Sequence, residues 1–305
     1  MPERPLPPAE LARRVGVVDQ AHAAESFDEM GADIRQMVLN LVGGEGWFTA
    51  DKTVFDFGCG PGKLLRHFLS EAEVSEFIGC DIDRPSIEWL KDHHSPPLNL
   101  FVCGEEPGLP LPDNHVDLAF AMSVFTHLTE YWAGWLLEIH RVLKPGGKFL
   151  ATFLGKGMSE PIAFEPWDED RIGLNILRTW QPWDDGGPSV QHSEWWLRAH
   201  WGRLFDFERI EDSDQPSHGW MFLRKREVKL TEAELISPEP NEPREFMALR
   251  HNVRQLAKET ELLAEDRAAV AADRKAVSEH RDSVVAQLEA AQTTNGSRRR
   301  FPWRQ

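Results

Sequence analysis

The chain has no run of about 18 consecutive apolar residues, so no segment reads as a membrane-spanning helix. Its opening stretch, Met1 to Ala9, is proline-rich and has no apolar core, so it does not read as a secretory signal. Cysteine is scarce. Cys59, Cys80 and Cys103 lack the paired spacing of metal ligands and read as small buried hydrophobes of a reducing compartment. Positive charge is also scarce: 34 Lys and Arg stand against 50 Asp and Glu, a net charge of −16. Nucleic-acid binding rests on neutralising phosphates, so this balance argues against a nucleic-acid partner. The expectation is a cytoplasmic protein with no bound metal.

At 305 residues, 41% hydrophobic and 28% charged, the chain is long enough to bury a full α/β core with about 100 residues left over. The most informative stretch is Val54-Phe55-Asp56-Phe57-Gly58-Cys59-Gly60-Pro61-Gly62. An apolar strand runs into an acid, then glycine falls at every second position, and Lys63 to Ser70 follows as a helix-like run. Such a turn lets the backbone approach a ligand closely. A dinucleotide fingerprint needs a third glycine where Lys63 stands, and a P-loop needs Ser or Thr where Leu64 stands. Both patterns fail, which leaves D-x-G-x-G-x-G.

The downstream spacing adds to this. Phe77-Ile78-Gly79-Cys80-Asp81-Ile82-Asp83 reads as a second buried strand ending in acids, where a carboxylate can bind ribose hydroxyls. Asp83-Arg84-Pro85 reads as the start of a helix. A third strand spans Leu98 to Cys103 and a fourth Val116 to Met122. A helix with Trp132, Trp135, Leu136 and Ile139 at helical spacing comes next. Lys144-Pro145-Gly146-Gly147 then turns into a fifth strand. In this order, over residues 54–153, these motifs resemble the class I S-adenosylmethionine-dependent methyltransferases. The resemblance implies a Rossmann-like seven-stranded sheet, mostly parallel with one antiparallel strand, and S-adenosylmethionine as cofactor. It implies cofactor contacts from Asp56, Gly58, Gly60, Gly62 and Ser123. Asp81 would bind the ribose, Ile82 would lie on the adenine, and Glu105 would accept from the adenine amino group, with Glu106 next to it.

Ligands of open α/β sheets lie beyond the carboxyl ends of the strands, so the acceptor is expected past the fourth strand, at Ser123 to His127. Methyl transfer to a hydroxyl needs the acceptor held in line and its proton removed, and His127 is the candidate base. His192 and His200 are alternatives. An insertion at 155–201 holds six of the twelve tryptophans. Trp167 and Trp183, with His192, are candidate acceptor contacts, since aromatic faces beside carboxylates suit a sugar. Trp195, Trp196 and Trp201 read equally as core. Asp184-Asp185-Gly186-Gly187 reads as an acidic turn.

The expected organisation is an N-terminal helical cap over 1–50 and a methyltransferase domain over 51–228. A linker over 229–244, a coiled coil over 245–292 and a basic tail over 293–305 follow. The coiled coil rests on heptads that put Phe246 at position a and Leu249, Leu256, Leu263, Val270, Val277 and Val284 at position d. Arg267, Arg274 and Arg281 occupy later a positions, which points to a parallel homodimer. The tail from Arg298 to Arg304 is basic and aromatic, a composition suited to the inner membrane face or a partner enzyme. The reading is methyl transfer to a small polar acceptor, a hydroxyl of a sugar or glycan precursor. N-methylation of an amine or protein side chain, and a cofactor-binding scaffold with little catalysis, stay open beside it.

Overall fold

A computed structural model describes residues 5–16, 21–182 and 186–297, with side chains as far as Glu289. Trp183, Asp184, Asp185 and residues 298–305 of the expected basic tail therefore lie outside the described residues, while 293–297 are helical. Contacts divide the chain into two units, Met1–Val253 and Arg254–Gln305. The first contains α1 (Ala9–Arg14), α2 (Ala23–Val42), β1 (Thr53–Phe57), β2 (Glu76–Asp81), α3 (Arg84–His94) and β3 (Asn99–Val102). It continues with β4 (Val116–Ala121), α4 (Trp132–Val142), β5 (Leu143–Phe153), α5 (Ser159–Ala163), β6 (Leu174–Leu177) and β7 (Ser189–His192). Then come α6 (Glu194–His200), β8 (Phe205–Glu211), β9 (Gly219–Lys225) and α7 (Glu232–Ile236), and α8 (Pro243–Ser297) begins. The second unit is the continuation of α8.

Seven strands form one sheet in the order β3-β2-β1-β4-β5-β9-β8. β9 is antiparallel to both β5 and β8, and every other pairing in the sheet is parallel, as the sequence reading expects. Strand order reverses between β1 and β4, which opens a crevice at their carboxyl ends.

Period-2 alternation sorts the strand side chains onto two faces. Phe55, Phe57, Ala119, Ala121, Phe149 and Ala151 enter the cluster that α4 and α6 cover. Val54, Leu118, Phe120, Leu150 and Phe222 enter the opposite cluster, with Val38 and Leu39 of α2 and Ile87 and Leu90 of α3. α2 sits low on the sheet because Gly31 rests against the Lys63 carbonyl and the His67 ring, where a Cβ has no room.

Two expectations change, and one segment gains detail. The run after the glycine turn is not an α-helix: it winds as 3₁₀ turns at Leu65–Phe68 and Glu71–Glu73. It is pinned from the side by α2, where Asp28 pairs with Arg66. The stretch 229–244 does not hang free. It contains α7, started by a capping box at Thr231 and Glu234, and Leu235 is fully buried in the core. The insertion at 155–201 is structured, with β6 and β7 forming a two-stranded antiparallel ribbon. β7 is tied back to the domain, where Val190 N–H donates to the Thr126 carbonyl (2.7 Å) and His192 N–H to the Leu154 carbonyl (2.9 Å).

The tryptophans around α6 resolve to core. Ser193 caps α6 by accepting from the Trp196 N–H. Trp201 stacks on Phe149, with ring centroids 6.1 Å apart and planes 7° from parallel, and meets the Phe125 ring edge-on at 4.7 Å. Its indole N–H has no hydrogen-bond partner among the described residues. Its contribution is therefore packing alone. Trp201→Ala is expected to lower the unfolding free energy by about 3–5 kcal/mol in denaturant titration. Trp201→Phe, which gives up no hydrogen bond, is expected to cost clearly less.

Candidate active site

The chain leaves β1 at Phe57 and turns through Gly58 (φ 75°) and Gly60 (φ 53°), left-handed conformations that favour glycine. A Cβ at Gly58 would collide with Val124, and one at Gly60 with Val15. The turn therefore has the fourth-strand loop on one side and the N-terminal segment on the other.

Asp81, at the end of β2, holds the turn. Its Oδ2 accepts from Gly60 N–H (2.7 Å) and its Oδ1 from Asp83 N–H (2.8 Å). Burial pushes its carboxyl above the ordinary range, although both N–H groups favour the charged form. Ile82 next to it is 45% exposed, an apolar face beside the Asp81 carboxylate. Glu105 lies exposed just past β3, and its backbone carbonyl accepts from the Trp135 indole (3.0 Å).

Asp56 is buried beneath the turn. Burial, with the charge of Asp81 added, pushes its carboxyl up to about 7, and Lys63 pulls the other way. Burial brings Lys63 down to about 8, opposed by Asp56. The Lys63 ammonium donates to the carbonyls of Val15 (2.9 Å) and Gly16 (3.4 Å). Arg14 adds an ion pair to Asp83 at 2.8 Å. α1 is thereby fastened to the rim of the turn at two places.

Beyond β4 the backbone tightens at Ser123 (φ 61°), a left-handed conformation that costs a non-glycine residue about 1–3 kcal/mol. Ser123 N–H donates to Thr152 Oγ1 (2.7 Å), and its hydroxyl lies 3.2 Å from that of Thr126. His127 Nδ1 lies 2.8 Å from the Pro188 carbonyl, and since a carbonyl only accepts, Nδ1 carries the proton. The basic nitrogen is Nε2. Burial lowers the His127 pKa, so the ring is neutral at pH 7.

His218 is a buried histidine at the carboxyl edge of the parallel strands that the sequence reading missed. It stands immediately before β9, whose Gly219 pairs with Phe153 at the carboxyl end of β5. Burial first, then the positive charges of His127 and Lys63, bring it down to about 4. The available signal was its position: a histidine just ahead of an antiparallel strand lies at the carboxyl edge of the parallel ones.

The other candidates fall elsewhere. His200 bridges the Leu235 carbonyl (3.0 Å) and Glu245 (2.9 Å), a structural tie. His192, read as an acceptor contact, is placed in the core instead. It is 1% exposed, with its ring beside Trp196 and Trp201. Trp167 is half-buried and donates to Glu169 (2.7 Å). Among the described residues no cluster of three His, Cys, Asp or Glu is placed to hold a metal.

The glycine turn and the acid at the end of β2 stand together at the carboxyl ends of the strands, at the crevice where strand order reverses. Residues 55–151 match the family model of the methyltransferase domain. Residues 55–151 are thus a methyltransferase domain, for which S-adenosylmethionine is the cofactor. The chain is 30% identical over 122 residues to phthiotriol/phenolphthiotriol dimycocerosates methyltransferase 1 of Mycobacterium ulcerans, covering 40% of this chain and 43% of that one. It is 26% identical over 145 residues to malonyl-[acyl-carrier protein] O-methyltransferase of Hahella chejuensis (46% and 52%). It is 31% identical over 101 residues to fatty-acid O-methyltransferase of Mycolicibacterium smegmatis (33% and 36%). The chain spans about half or less of the length of these curated relatives. A crystal structure of a protein from Pyrococcus horikoshii OT3 superposes with a TM-score of 0.50, covering 66% of this chain and 92% of that one at 17% identity, which shows the fold.

Two outcomes are expected. Asn has one carbonyl oxygen in place of two carboxylate oxygens, so Asp81→Asn cannot keep both backbone N–H bonds and the ribose. Calorimetry is expected to show S-adenosylmethionine binding weakened by about tenfold or more. The second concerns His192. Its pKa is about 3 when folded, against an ordinary 6.5. The unfolded chain therefore binds the extra proton first, and stability falls as pH drops from 6.5 toward 3. Between pH 7 and pH 5 this group alone is expected to remove about 2 kcal/mol. His192→Phe should flatten the pH dependence of the denaturation midpoint by a corresponding amount.

Proposed function

We propose that the protein transfers the methyl group of S-adenosylmethionine to a hydroxyl oxygen of a polar metabolite, a sugar or glycan precursor, with His127 removing the hydroxyl proton. The observation that carries the reading is the His127–Pro188 hydrogen bond. It fixes the proton on Nδ1, and burial keeps the ring neutral, so Nε2 is basic at physiological pH. The glycine turn, Asp81, Ile82 and Asp56 are the residues that would hold the cofactor. Bound there, the cofactor supplies a methyl group already activated by its sulfonium.

A hydroxyl has a pKa far above 7 and benefits from a base as its oxygen attacks. A carboxylate does not, because it is already deprotonated. A locked neutral imidazole therefore favours a hydroxyl acceptor over a carboxylate. The loop that carries His127 also carries the hydroxyls of Ser123 and Thr126, with Thr152 bonded to Ser123. That composition suits a hydroxylated ligand better than an acyl chain. Two of the relatives are O-methyltransferases by name, which supports oxygen as the acceptor atom.

The test is a labelled-methyl screen over nucleotide sugars, reducing-end glycans, fatty acids and acyl-carrier thioesters. Hydroxylated sugars are expected to be labelled. His127→Ala is expected to lower kcat by about 10²–10⁴-fold with cofactor affinity unchanged. Label on carboxylic acids only, with His127→Ala turning over at full rate, would sink the reading.

A further inference from the structure

Helix α8 carries an apolar seam with no covering partner among the described residues. At the d positions of its second unit, Val270 is 44% exposed, Val277 70% and Val284 39%. At the a positions stand Arg267, Arg274 and Arg281. We propose that this stretch pairs with the same stretch of a second copy of the chain, in parallel and in register, as a two-stranded coiled coil.

The occupant follows from charge. Asp266 and Asp273, at position g, each immediately precede an arginine at position a. In a parallel two-stranded coil, a g residue of one helix flanks the following a residue of its partner. Asp266 of each chain would then meet Arg267 of the other, and Asp273 would meet Arg274. Within a single chain these four residues have no hydrogen bond or ion pair among the described residues. Ion pairs that this helix makes within its second unit include Lys275–Glu279 and Arg281–Asp282.

The opposite orientation is disfavoured on the same grounds. Antiparallel pairing sets g against g, and here that brings Glu259, Asp266 and Asp273 against their own kind. Parallel pairing sets g against e, where Ala257, Ala264, Ala271 and Ser278 are small and neutral. The arginines also select two strands. Their aliphatic stems lie along the seam while the guanidinium groups reach water, a route that a third helix would close.

Sedimentation equilibrium of the full chain at micromolar concentration is expected to give twice the 34.8 kDa of one chain. Val277→Cys, mildly oxidised beside the wild-type chain, is expected to run as a covalent dimer on a non-reducing gel. Arg267→Glu with Arg274→Glu places acids beside acids and is expected to raise the dimer dissociation constant by about tenfold or more. Exchanging Asp and Arg at both steps (D266R, R267E, D273R, R274E) is expected to restore it. A monomer or a trimer by mass overturns the proposal. So does a dimer that Val277→Cys fails to link, or one that the two glutamates leave unchanged. None of these readouts depends on methyl transfer.

Discussion

One carboxylate organises the cofactor end of this molecule. Asp81 takes a backbone N–H from the glycine turn with one oxygen and a backbone N–H from the start of α3 with the other. The turn after β1 and the exit from β2 are thereby closed into one rim. The next links depend on that rim. Asp83, positioned by it, accepts from Ser86 in the first turn of α3 and pairs with Arg14 of α1. Without the Asp81 clamp the glycines would be free to move, and α1 would have one anchor in place of two.

Beneath the rim lies a buried pair of opposite charges at reduced strength. Asp56 and Lys63 are both shifted toward neutrality by burial, and each partly offsets the shift of the other. Such a pair is weak evidence for stability, since desolvation can exceed the Coulombic gain. Its value is better placed in function. The Lys63 ammonium also holds the carbonyls at the end of α1, so the N-terminal cover and the floor of the cofactor site share one cation.

What was legible in the sequence was local. The glycine turn, Asp81 and the Lys144-Pro145-Gly146-Gly147 turn are short-range patterns that backbone conformation demands. The two-faced strands follow from alternation. What was not legible depends on distant partners. His218 reaches the carboxyl edge of the parallel strands only because β9 returns antiparallel beside β5. His192 points into the core because the register of β7 against β6 and Leu154 turns it toward Trp196 and Trp201. No residue near either histidine announces this. The run after the glycine turn had a helical pattern, yet it is wound as 3₁₀ turns beneath a helix packed through a glycine, a contact made by residues thirty positions upstream. Leu235 shows the same limit: a Pro- and Glu-rich neighbourhood reads as a tether, while one leucine anchors it.

The carbonyl that sets the tautomer of His127 belongs to Pro188, in the insertion and not in the shared sheet. The ribbon that follows Pro188 is stitched to Thr126 and Leu154. The insertion and the tautomer of His127 are thus one mechanical piece. Whatever sets the path of the chain through Pro188 also sets which ring nitrogen of His127 carries the proton.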